Sequence, residues 1–250
     1  MLPAWPAAFH QWSPLGYTSG MSLWQRFTGL LGEGVEAVGG LFDRLAARLS
    51  GDPEARRHMT FSVAIVALSA KMAKADGVVT FDEVAAFKRL VEYPPNQARH
   101  IDRLFDIARR DVGGFESHAA KVAALYEPGD PILGDIVDAL FQIAGADDLI
   151  HELEIAYLAR VAEVFGISDS EFESIKLRHV VPEDGDPYVI LGVDRAMSFD
   201  ELQKAYRELV AENHPDRLIA RGVPPEFIAV ANHRVAAINV AWDRIEAERR

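Results

Sequence analysis

From residue 54 to residue 180 the apolar side chains recur at intervals of three and four, and nowhere in that span do they alternate over a useful length. This is the helical period, so the section must bury its apolar surface by packing helix on helix rather than by building a sheet. Phe61, Ile65, Leu68 and Met72 make one apolar face. Further helices are predicted at about 81–91, 97–110, 115–126, 132–144, 152–165 and 168–179. Breaks fall at Pro94-Pro95, Gly113-Gly114, Pro128-Gly129-Asp130-Pro131 and Gly166, where proline removes a backbone donor and glycine loosens the chain. The class is all-α.

The same section carries an internal repeat. Residues 73–83, Ala-Lys-Ala-Asp-Gly-Val-Val-Thr-Phe-Asp-Glu, return as residues 144–154, Ala-Gly-Ala-Asp-Asp-Leu-Ile-His-Glu-Leu-Glu, an offset of 71 (73 to 144). Asp76 aligns with Asp147, Val79 with Ile150, Glu83 with Glu154 and Phe87 with Leu158, and upstream Ile65 and Met72 align with Ile136 and Ile143. Each half is a helix, a short acidic turn and a helix. Two such hairpins about a pseudo-twofold would cover one another's apolar faces.

Charge narrows the partners. The formal net charge is −12, and residues 51–181 hold 14 basic and 22 acidic side chains. Nucleic-acid phosphates require clustered Lys and Arg, so nucleic acid is excluded as a partner. There is no cysteine, hence no disulfide, thiolate nucleophile or cysteine-based zinc site; this suits a reducing cytosol. Neither a P-loop, Gly-x-Ser-x-Gly nor His-Glu-x-x-His is present, and the chain is expected to do no chemistry of its own.

The first 50 residues divide in two. Residues 1–20 carry Pro3, Pro6 and Pro14 with no basic region and no long apolar run. They resemble neither a signal peptide nor a membrane span and are expected to be a disordered extension, or to precede a true start at Met21. Residues 21–50 form an amphipathic helical segment. Leu23, Phe27, Leu30, Leu31, Val35, Val38, Leu41, Phe42, Leu45 and Leu49 make its stripe, interrupted by five glycines. Two readings stay open: a helix packed on the next domain, or peripheral membrane contact (an inner-membrane association) or self-association through 22–49.

Near the C-terminus, Ser198 and Glu201 form a capping box ahead of a helix predicted over 198–213. Leu202, Ala205, Tyr206 and Leu209 line one side, and Lys204, Arg207 and Glu208 face outward. The helix runs into His214-Pro215-Asp216, where proline stops it. A last helix is predicted from about Pro224-Pro225-Glu226, with Phe227, Val230, Ile238, Ala241, Trp242 and Ile245 inward. This pattern builds two antiparallel helices with an exposed loop at their tip. Ahead of them stand Asp186-Pro187-Tyr188-Val189-Ile190-Leu191-Gly192-Val193, a short helix and turn, and residues 181–187 form a polar linker.

These C-terminal residues, 188–250, resemble the J domain of DnaJ-type co-chaperones. His214-Pro215-Asp216-Arg217-Leu218 with Arg221-Gly222-Val223-Pro224-Pro225-Glu226 is similar to the DjlA-type branch. The two acidic turns of residues 51–180 resemble the TerB-like, tellurite-resistance domain, which that branch joins to a C-terminal J domain. The resemblance implies a co-chaperone that binds a DnaK-type ATPase and stimulates its ATP hydrolysis. It implies that His214, Pro215 and Asp216 signal to the partner, that Lys204, Arg207 and Arg217 supply attraction to an acidic groove, and that the TerB-like domain recruits a client or a location. The helix before the motif is less basic than in DnaJ itself, since Glu201, Glu208 and Glu212 offset Lys204 and Arg207.

The acidic turns leave two readings open. Asp76, Glu83, Asp147 and Glu154 could hold a divalent cation as cofactor, in a stress-response protein related to tellurite or metal. Alternatively these carboxylates cap the helices that follow, as Asp and Glu at such turns commonly do. His151 beside the second turn is read as solvated or capping.

Overall fold

A computed structural model describes residues 53–75, 99, 102–103, 105–107, 114–145, 150–180 and 185–249, and among them the chain is helical with no strand. We number the helices α1 (Pro53–Ala75), α2 (Phe115–Ala123), α3 (Ile132–Ala144), α4 (Glu152–Phe165), α5 (Asp169–Val180), α6 (Pro187–Leu191), α7 (Phe199–Glu212), α8 (Pro215–Arg221) and α9 (Ile228–Arg249). The predicted helices at 81–91 and 97–110, the segment 21–50 and residues 1–20 lie outside the described residues or largely so. The bounds of α3 and α4 coincide with those expected from periodicity.

Helix α1 is the hub, packed against α2, α3 and α4. The single apolar face expected for it is instead buried on all sides: every residue from Met59 to Met72 is buried, polar Thr60, Ser62, Ser69 and Lys71 included. Helices surround it, and two of its serines turn back on their own backbone. Ser62 Oγ donates to the His58 carbonyl at 3.0 Å and Ser69 Oγ to the Ile65 carbonyl at 2.6 Å, which removes most of the penalty of burying a hydroxyl. Repeat partners Ile65 and Ile136, Met72 and Ile143 are all core residues, as is Leu158. Helix α4 ends at Gly166, whose φ of 73° is the left-handed conformation that accepts the final backbone bonds most easily without a Cβ.

The C-terminal helices form two cores. One is their own: Tyr188, Ile190 and Leu191 of α6 meet Leu202 of α7 and Ile238, Ala241, Trp242 and Ile245 of α9. The second is shared. Leu218 of α8, Val223, Phe227, and Val230 and Ala231 of α9 belong to the same buried cluster as α1, α3 and α4. Phe61 of α1 and Phe227 meet edge to face with ring centroids 5.0 Å apart, a favoured aromatic geometry. Ser174 of α5 donates to the Ile190 carbonyl at 2.9 Å in a buried bond, and Arg244 of α9 donates to the Gly185 carbonyl at 2.6 Å. Packed structure therefore begins within the segment 181–187 expected as a polar linker, since Gly185 and Pro187 are buried and α6 starts at Pro187.

Candidate partner-binding site

The capping box starts α7 as expected. Glu201 N–H donates to Ser198 Oγ at 3.3 Å, and Ser198 N–H donates back to Glu201 Oε2 at 2.8 Å. Ser198 Oγ also donates to Glu201 Oε2 at 2.7 Å, and this bond, then the one from the Ser198 N–H, holds the Glu201 carboxyl below its ordinary pKa. Leu202 is fully buried, while Lys204, Arg207 and Glu208 are exposed.

The helix closes at Asn213, one residue before His214-Pro215-Asp216. Here the structure corrects the expected exposed loop. Proline ends α7, but it also occupies the first position of the next helix, α8, where its missing N–H is not needed and its fixed φ suits helical geometry. His214 is the N-cap: its Nδ1 accepts from the Asp216 N–H at 3.2 Å. The Asp216 carboxylate lies 3.6 Å from Nδ1, and both side chains are well exposed, 45% and 75%. The tripeptide is thus a preformed helix start at the surface. The last helix likewise begins later than expected, at Ile228, after a single 3₁₀ turn over Pro225–Phe227.

Of the six residues assigned to partner contact, Arg207, His214, Asp216 and Arg217 line one shallow open groove, floored by Tyr206, Val210 and Ala211. Pro215 does not line it and stands at the first position of α8. Lys204 lies outside it, 78% exposed and 3.9 Å from Glu208 Oε1. The apolar strip is flanked by two guanidinium groups, one imidazole and the Asp216 carboxylate, a mixed charged rim that suits a polar protein surface.

The acidic turns are described in part. Asp76, Glu83 and Asp147 lie outside the described residues. Glu154 is buried, and its Oε2 accepts the His151 N–H at 2.8 Å at the start of α4. That carboxylate is engaged in helix capping. No group of three or more metal-capable side chains occurs among the described residues.

Beneath the tripeptide lies a buried ionic cluster that was not anticipated from the sequence. Arg234 of α9 donates from Nε to Asp138 Oδ2 at 2.9 Å, and from one terminal nitrogen to Asp135 Oδ1 at 2.6 Å and to Asn213 Oδ1 at 2.8 Å. Arg178 of α5 donates to Asp138 Oδ1 at 3.3 Å, and His179 Nε2 lies 3.1 Å from the same oxygen. Arg221, at the end of α8, reaches Asp135 Oδ1 at 3.4 Å. Burial alone would push the Asp138 carboxyl up, but Arg234, Arg178 and His179 outweigh it and hold the group well below the ordinary carboxylate range. Burial likewise opposes the charge on Arg234, and Asp138 and Asp135 overcome it, raising its pKa. A ring stack runs alongside: Phe141 on His179 at 5.5 Å, and His179 on His233 of α9 at 4.9 Å. Burial, then neighbouring His179, push the His233 imidazole down to about 4. The cluster had a signal in the sequence. Asp135 and Asp138 are the only charges in α3, whose other residues are apolar apart from Gln142, and an ion in such a helix needs a buried counter-charge.

A short helix followed by an antiparallel pair, with His-Pro-Asp presented between them, defines a J-domain protein. Comparison with known families agrees. Residues 62–177 match the family described as tellurite resistance protein TerB, and residues 186–246 match the DnaJ domain. The chain is 26% identical over 219 residues to the "Co-chaperone protein DjlA" of Photobacterium profundum, covering 77% of this chain and 79% of the relative. It is 25% identical over 200 residues to the protein of the same name from Coxiella burnetii, covering 71% and 73%. The namesake from Shewanella oneidensis is 30% identical over 125 residues, 45% of this chain and 48% of that one. No solved structure matches. The chain belongs with the DjlA-type co-chaperones: a TerB domain followed by a J domain.

Proposed function

We propose that this co-chaperone docks a DnaK-type chaperone on the groove between α7 and the start of α8 and stimulates its ATP hydrolysis, with no chemistry of its own. The observation that carries this reading is the preformed tip. His214 and Asp216 are exposed, hydrogen-bonded to one another through backbone and side chain, and flanked by Arg207 and Arg217 beside an apolar floor. The tip therefore meets a partner with little ordering cost. Arg207 and Arg217 steer an acidic surface toward it; Glu208 and Glu212 on the same helix temper that attraction, so binding is expected to be modest and salt-dependent. The TerB domain is proposed to recruit a client or a location. No described helix is long and apolar enough to cross a membrane, and residues 22–49 are the proposed segment for peripheral contact with the cytoplasmic face of a membrane.

The test is single-turnover ATPase of a DnaK-type chaperone titrated with the full chain. Wild type is expected to accelerate hydrolysis, and His214→Gln, which keeps a polar side chain but loses the imidazole cap, is expected to abolish the acceleration while helicity is retained. A His214→Gln protein that stimulates as well as wild type would show that the tip does not carry the signal.

A further inference from the structure

We infer that the TerB domain holds the J-domain tip in its docking conformation, and that Arg234 is the positioning residue that transmits this support. The inference rests on the docking role proposed for the tip.

Helix α8, which begins with the tripeptide, is fixed to the TerB domain at both ends and in the middle. At its start, Asn213 is buried directly before His214. Its Nδ2 donates to the Leu209 carbonyl at 2.8 Å, closing α7, and its Oδ1 accepts from Arg234. The same Arg234 nitrogen donates to Asp135, and Arg234 Nε donates to Asp138, both on TerB helix α3. One guanidinium therefore ties the residue before the tip to two TerB carboxylates. In the middle of α8, Leu218 is 1% exposed within the shared core. At the end, Arg221 reaches Asp135, and its carbonyl accepts from Arg57 Nε of α1 at 2.9 Å. The His214 and Asp216 side chains remain open to solvent.

This geometry has a consequence for binding. A planar guanidinium with three acceptors at fixed angles leaves Asn213 one position, so the α7 end and the α8 start cannot move apart. If the link is cut, the tip samples conformations in which His214 no longer caps α8. The partner then binds only the competent fraction, and the apparent dissociation constant rises by the inverse of that fraction. The maximal rate, read with the partner saturated, is unchanged, because the bound tip is the same. Loss of the J-domain fold would instead remove active protein and spread to the core around Trp242.

The experiment uses full-chain Arg234→Met, which keeps the stem and removes the guanidinium, and Arg234→Met combined with Asp135→Asn, which leaves the buried Asp138 paired with Arg178 and keeps the site foldable. Arg234→Lys serves as the conservative variant, and His214→Gln as the control. In the ATPase titration, both Met variants are expected to raise the half-maximal concentration about tenfold with the plateau rate kept, and Arg234→Lys to recover part of that shift. Amide exchange is expected to quicken across residues 211–218 and to stay protected across 238–245. Half-maximal concentrations within twofold of wild type, in variants whose unfolding midpoints stay above the assay temperature, overturn the inference; so does exchange that quickens equally in both segments. If wild type does not stimulate, or His214→Gln matches it, the docking reading fails instead. The exchange comparison needs no chaperone and still reports on the clamp in that case.

Discussion

Replacing Phe227 by Ala should destabilise the two domains as one. Phe227 is fully buried, it lies in the J-domain sequence, and its ring packs on Phe61 at the centre of the TerB hub helix α1. Truncating a buried Phe costs about 3–5 kcal/mol, from lost transfer energy and from the cavity left behind. The site is bounded by α1 and α9, both long helices held along their length, so collapse around the cavity is limited and about 4 kcal/mol is expected. With a urea m-value on the order of 2 kcal/mol per molar, the unfolding midpoint should fall by about 2 M. The assay is urea unfolding followed by far-ultraviolet circular dichroism, with amide exchange read separately in α1 and α9. Because Phe227 belongs to the cluster that holds Phe61, Ile65 and Leu68, α1 should lose protection together with α9 in a single transition. Two transitions, of which only the α9 one moves, would refute the shared core.

Two further outcomes are expected. Acid should loosen the interface. His233 has a folded pKa of about 4 against an ordinary 6.5, so the folded state resists its protonation; its contribution is complete above pH 6.5 and is lost as pH falls from 6.5 toward 4, by about 3 kcal/mol. Asp138, held well below its ordinary value by Arg234 and Arg178 against the effect of burial, adds to the loss at still lower pH, where its carboxylate becomes protonated. Thermal unfolding between pH 7.5 and 4 should show this slope and His233→Leu should flatten its upper part; an equal slope in the variant would remove His233 as the cause. Separately, Gly222→Ala should cost roughly 1–3 kcal/mol by calorimetry. Gly222 has a φ of 110°, and a Cβ there would stand 2.7 Å from Arg57 Cβ, where neither backbone can yield cheaply; an unfolding midpoint equal to that of wild type would show that the α8–α1 contact relaxes freely.

Local rules made much of this protein legible. Helices α3, α4 and α7 could be bounded from the sequence because their period, their glycine and proline stops and the Ser198–Glu201 box act within a few residues. The tripeptide could be placed at the end of α7 for the same reason. The loop after it was harder, since Pro215 both stops one helix and starts another, and only the His214 side chain, turned to cap Asp216 N–H, decides between the two. Helix α1 was expected to show one buried face, and it shows none exposed between Met59 and Met72, because the number of neighbours around a helix is not written in its own period.

By itself, the sequence determined an all-helical chain, the order of its two domains and the residues of the tip. Only the tertiary structure decided that the tip is braced from below. Arg234 meets Asp138 across 96 positions and Asp135 across 99. Charge in the sequence shows that such ions need partners, but pairings at that distance depend on how α9 lies against α3, and that is set by burial of Phe227, Val230 and Ala231 in the shared core. The hydrophobic contacts choose the orientation, and the ions brought together by it then fix the position of Asn213 and, through it, of His214.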